Sequence, residues 1–204
     1  MTEITLVETP KYTIEPPDIS HIITEDDTPV DNMFSEKQMR LLTESLYASW
    51  PGPGDGRSFV AMANVGLFFM VHTPGLVPDV LLAVDVRLSA DLDRKENRSY
   101  FVWQFGKPPD VVIEIVSNNK GEELGNKLLD YARIGVGCYV VFDPYHYLGP
   151  QTLRTFSRVV NDFIETQDTW LRGVKLGLTL WDGEYEGMRL TWLRWQDQQG
   201  ALIP

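Results

Sequence analysis

Seven residues, Asp110 to Val116, set the tightest limit on what this chain can fold into. They read DVVIEIV. The run is β-branched and has the length of one strand, too short for an ordinary helix. It shows no polar alternation, so both of its faces belong in an interior. Cys138 to Phe142, CYVVF, repeats the pattern and is stopped by Asp143-Pro144. Val77 to Val86, VPDVLLAVDV, is a third strand. Its Val80, Leu82, Val84 and Val86 line one face, and Asp79, Leu81, Ala83 and Asp85 the other.

Helical signals surround these strands. Ser35, with Glu36 behind it, opens a periodic stretch that ends at Pro51-Gly52-Pro53-Gly54, which predicts a first helix over 35–49. Between the DVVIEIV and CYVVF runs, Ser117-Asn118-Asn119 offer caps and Glu122 and Glu123 suit a first turn. Leu124, Leu128, Tyr131 and Ala132 make an apolar stripe that Gly135 ends. This second helix is expected to begin near Lys120. Phe59 to Val71 reads as one bent strand or a hairpin. Asp182-Gly183, between LGLTLW and EYEGMRLTWLRW, is a hairpin-turn signal. Hairpin-linked strands followed by one helical crossover give an α/β (α+β) fold: a mixed sheet flanked by helices, with a β-rich C-terminal extension.

The 204 residues suit one domain. Residues 1–34 read as an extended acidic arm and 35–204 as a single domain, with a core at 35–145 and the extension at 146–204. Net charge is −11, but residues 1–31 alone hold eight acids and one base. The body is thus only mildly acidic, which weakens nucleic-acid binding without removing it. One Cys and three His exclude a disulfide framework or a zinc cluster. His21, His72 and His146 have no ligand spacing, and Cys138 reads as a buried apolar filler. No apolar run approaches a membrane span and the N-terminus is polar, so a cytoplasmic protein without membrane contact is expected.

Glu114 is the residue out of place. A carboxylate among Val112, Ile113, Ile115 and Val116 is expensive to bury unless it is paired or holds a metal. A structural ion pair and a functional role are about equally expected. Asp79 is the second candidate, against the ordinary reading of an Asp opening a strand after Pro78. Asp85 lies roughly 20 Å from Asp79 along a straight strand, and Asp110 roughly 13 Å from Glu114, too far to share one ion. If the strands of Asp79 and Glu114 are neighbours, their carboxylates converge, and two hard oxygen ligands suit Mg²⁺ or Mn²⁺. A nearby lysine, Lys120 or Lys127, completes a site for phosphodiester hydrolysis. The competing reading of Lys127 is an i,i+4 pair with Glu123 on a solvated helix face. If Lys127 reaches Glu114 instead, its replacement by Ala is expected to abolish cleavage with little loss of stability.

PDVLLAVDV, PPDVVIEIVS, KLLDYARIGV and YVVFDP, in that order, resemble the Uma-two-type restriction endonucleases of cyanobacteria, within the PD-(D/E)XK nuclease superfamily. The resemblance covers roughly 35–145, and LTLWDGEYEG and WLRW extend it into the tail. It implies a restriction-endonuclease-like core in which Asp79 matches the first acid and Glu114 the second. The superfamily lysine two residues after the Glu is Val116 here. In the Uma-two-type proteins it lies on the following helix, which matches Lys127, with Tyr131 in the same block. By analogy the Ile115 carbonyl is a further metal ligand. The implied activity is a metal-dependent DNA endonuclease using Mg²⁺ or Mn²⁺. The alternative, from another class, is an inactive nuclease-fold protein serving as a binding or assembly module. Trp181, Trp192 and Trp195 in the tail exceed what a small core needs and point to a homodimer.

Overall fold

The three apolar runs become neighbouring strands. The structure, a computed structural model, describes residues 17–23 and 32–204. In chain order its elements are α1 (Met33–Ser49), β1 (Phe59–Ala63), β2 (Leu67–Phe68), β3 (Val80–Val84), β4 (Tyr100–Phe101), α2 (Val102–Phe105), β5 (Val111–Ile115), α3 (Asn126–Ile134), β6 (Cys138–Phe142), β7 (Leu153–Val159), β8 (Asp162–Thr166), β9 (Trp170–Leu171), β10 (Leu176–Tyr185) and β11 (Met188–Gln196). The main sheet has the order β1-β3-β5-β6-β7-β8. β3 and β5 are antiparallel, and β5 and β6 are parallel, joined through α3. The sheet is therefore mixed, as expected. β9, β10 and β11 form a separate antiparallel sheet.

Strand alternation sorts the core into two layers. Val80, Leu82, Ile113, Ile115, Val140 and Phe142 pack with Leu42 and Leu46 of α1 and with Trp192 and Trp195 of β11. Leu81, Ala83, Val112, Val116, Tyr139 and Val141 pack with Tyr131 and Ile134 of α3. With both faces covered, the central strands carry buried residues at every position. Each such aliphatic side chain contributes about 1.5–3 kcal/mol by leaving water. Glu114 lies on the α3 side, between Val112 and Val116.

Several local expectations are corrected. α1 begins two residues early: Asn32 is its cap, accepting from the Ser35 N–H at 2.9 Å, and Ser35 is buried within the helix. Residues 59–71 are neither a bent strand nor a hairpin. The chain turns at Asn64, with φ of 53°, and β2 leaves the main sheet to pair in parallel with β4. β3 stops at Val84 because Asp85 adopts φ of 62°. The hairpin between β10 and β11 turns at Glu186 and Gly187, whose φ of 47° and 77° are what a two-residue primed turn requires. Asp182-Gly183 stays inside β10, because the Trp181 ring covers Gly183. A Cβ there would lie 2.0 Å from that ring.

The tryptophans are also reassigned. Trp192 and Trp195 are fully buried within the chain. The Trp195 indole N–H donates to the Leu42 carbonyl at 2.8 Å, and Trp192 stacks on Phe34. Trp181 is partly buried, with the Arg194 guanidinium 5.1 Å from its ring centre. These rings join the extension to α1, so they do not supply the exposed surface on which a dimer was expected. Of the acidic arm, residues 1–16 and 24–31 lie outside the described residues. Ile22 is buried against Phe68 and Phe101.

Candidate active site

Glu114 is 2% exposed, as deep as the strand around it. Both of its oxygens are engaged. Lys127 Nζ donates to Oε2 at 2.8 Å and the Tyr131 hydroxyl donates to Oε1 at 2.6 Å. Lys127 and Tyr131 are four residues apart, so one face of α3 delivers both. The helix begins later than expected. A 3-10 turn, Glu122–Leu124, precedes it, and Gly125 caps it. Lys127 therefore sits in the first turn of α3, not two turns in. A cation there opposes the helix dipole, and nearby carboxylates offset that cost. Glu123 Oε1 lies 3.7 Å from Lys127 Nζ. Lys127 thus contacts both carboxylates, with the closer contact to Glu114.

The charges follow from this packing. Burial pushes the Glu114 carboxyl above its ordinary range, and Lys127 and Tyr131 pull it back only in part. Burial alone would lower Lys127, but the Glu114 and Glu123 carboxylates outweigh it and the net direction is upward. Burial, then Glu114 beside it, holds the Tyr131 phenol well above its usual range, so it remains a donor. One earlier expectation changes. Removing Lys127 would strand a buried carboxylate, which costs about 3–5 kcal/mol, so Lys127→Ala is not a stability-neutral variant.

Asp79 immediately precedes β3. Val80 pairs with Ile113, and the same antiparallel register puts Asp79 opposite Glu114, on the α3 face. Asp79 thus borders β3, the strand next to the β5 of Glu114. The Ile115 N–H donates to Asp79 Oδ2 at 2.6 Å. In a strand the N–H and C=O of one residue leave on the same side. The Ile115 carbonyl thus leaves β5 on the Asp79 side. Among the described residues, no group of three or more His, Cys, Asp or Glu side chains is arranged to hold an ion. The donors on this side of β5 are the Asp79 and Glu114 carboxylates and the Ile115 carbonyl. That all-oxygen set fits Mg²⁺ or Mn²⁺.

The other acids separate from this centre. Asp85 takes two hydrogen bonds from Arg57, at 2.8 and 2.6 Å. Asp110 accepts from the Val84 N–H at 2.8 Å and from Lys107 at 2.5 Å. Lys120 is exposed on the loop after β5. Cys138 is buried on the opposite face. His21 and His72 stack at 5.3 Å, far apart in sequence. Glu123 is the residue that sequence reasoning undervalued. It was read as a solvated partner of Lys127 but is 7% exposed. Only its place next to an apolar stripe hinted at burial.

A six-stranded mixed sheet flanked by helices, with β5 and β6 parallel and joined through α3, has the layout expected of a restriction-endonuclease-like core. The chain belongs to the family described as "Putative restriction endonuclease" (Uma2), whose model matches residues 23–180. Among solved structures it is similar to a "putative nuclease belonging to DUF820" from Anabaena variabilis ATCC 29413. That match has 16% identity and a TM-score of 0.47, and covers 80% of each chain. No curated protein matches. Among the described residues, no helix is long and apolar enough to cross a membrane.

Proposed function

We propose that this protein is a metal-dependent DNA endonuclease that hydrolyses phosphodiester bonds in the cytoplasm. The carrying observation is the placement of Asp79, bordering β3, beside the β5 of Glu114, with Lys127 hydrogen-bonded to Glu114. Asp79, Glu114 and the Ile115 carbonyl are the groups that would hold Mg²⁺ or Mn²⁺. Such an ion polarises a phosphate oxygen and lowers the pKa of bound water. Lys127 brings a positive charge to orient the attacking water and offset charge that develops on the phosphate. Tyr131 fixes the Glu114 carboxylate from behind, and Asp79 is fixed by the Ile115 N–H. Supercoiled plasmid nicked in Mg²⁺ or Mn²⁺ by wild type but not by Asp79→Ala supports this reading. Equal nicking by both, or by neither, ends it.

One observation favours a second reading. Both Glu114 oxygens are satisfied by Lys127 and Tyr131, so Glu114 is compensated as a purely structural ion pair would be. The protein would then be a binding or assembly module without activity. A homodimer suits either reading, and two copies would set one site against each strand of a duplex. Leu190 of the hairpin, 40% exposed and on the same face as the partly buried Trp181, is its candidate contact.

A further inference from the structure

Glu123 is buried, and half of its carboxylate is unused. Oε2 is enclosed without a hydrogen-bond partner, an arrangement that costs free energy unless it serves another state. The residue is built into place. The Tyr139 hydroxyl, itself fully buried, donates to the Glu123 carbonyl at 3.0 Å and ties the 3-10 turn to β6. Lys127 Nζ stands between two carboxylates and is shared unequally, 2.8 Å from Glu114 and 3.7 Å from Glu123.

This matters when a cation arrives. A divalent ion on Glu114 competes with the ammonium for the same oxygens and repels it. An ammonium with no other acceptor would be driven from the site. We propose that Glu123 is a positioning residue: it is the second seat of the Lys127 ammonium, taken when a divalent cation occupies Glu114. The inference rests on the metal-dependent reading above. It places Lys127 within the site but off the ion. The half-empty Glu123 carboxylate is the reserve acceptor for that shift.

The test is a double-mutant cycle read by calorimetric titration of Mn²⁺ into the full-length protein, without DNA. The variants are Glu123→Gln, Lys127→Met and the pair. Glu123→Gln is expected to weaken Mn²⁺ binding about tenfold, the order of one charge-assisted hydrogen bond. In the Lys127→Met background it should change nothing, because no ammonium needs a seat. Equal weakening in both backgrounds makes Glu123 a ligand of the ion and overturns the proposal, as does no weakening in either. If Lys127→Met does not fold, the wild-type crystal structure with Mn²⁺ decides. Nζ within about 3.2 Å of Glu123 and off Glu114 is the expected result, and Nζ still on Glu114 overturns it. Wild-type protein that takes no Mn²⁺ removes the metal-dependent reading itself, which separates that failure from a failure of Glu123 alone.

Discussion

Tyr131 and Cys138 illustrate how burial gives side chains on opposite faces of one sheet different tasks. The Tyr131 hydroxyl donates its one hydrogen bond to Glu114 at 2.6 Å. Tyr131→Phe keeps the ring and leaves a buried carboxylate oxygen without its donor, which costs about 1–3 kcal/mol. A lower urea midpoint with an unchanged slope is expected. An unchanged midpoint would show that water replaces the hydroxyl. Cys138 is 8% exposed, and burial pushes its thiol up to about 12. Only the thiolate reacts readily. The native protein should therefore resist an aromatic disulfide reagent at pH 8 and react fully once denatured. Rapid native labelling would contradict this. Glu114 was legible from sequence because a lone carboxylate in DVVIEIV breaks a pattern. Glu123 was not, because an acid in a helix's first turn looks ordinary, and its turn is tied down by Tyr139, sixteen residues away.

Elements were easiest to read where both faces are buried. β5 and β6 fall within one residue of the expected runs, since an apolar stretch of that length has few other fates. Turns were harder. Asp182-Gly183 carries the stronger turn signal, yet the chain turns at Glu186-Gly187. The deciding contact is the Trp181 ring over Gly183, with Arg194 against that ring. Gly183→Ala should force the ring off its site and cost about 1–3 kcal/mol as an overpacking change. A loss of thermal stability with altered tryptophan fluorescence is the expected result. Unaltered stability would mean that the hairpin accommodates a methyl group freely. In the same way, Gly125 and the 3-10 turn delay α3, and this delay sets Lys127 at the helix start, beside Glu114.

At the scale of the molecule, the extension is bound into the core. β7 and β8 continue the main sheet, and β11 packs Trp192 and Trp195 against α1. Added Mg²⁺ or Mn²⁺ at a hundredfold over its Kd should stabilise the whole chain by about 2.7 kcal/mol. Asp79→Asn should abolish that shift, and EDTA should reverse it in wild type. A shift that survives in Asp79→Asn would place the ion elsewhere. Sedimentation at micromolar concentration should show a dimer that Leu190→Glu dissociates, whereas a wild-type monomer would remove the dimer. The sequence by itself determined the buried strands and the crossover helix, and it marked Asp79 and Glu114 as candidates with Lys120 or Lys127 as their partner. Periodicity and a misplaced charge are local signals. Only the tertiary structure decided the register that sets Asp79 opposite Glu114, the burial of Glu123, and the inward fate of the tail's tryptophans. Those depend on contacts between residues far apart in the chain, and no local pattern encodes which surface a side chain will meet.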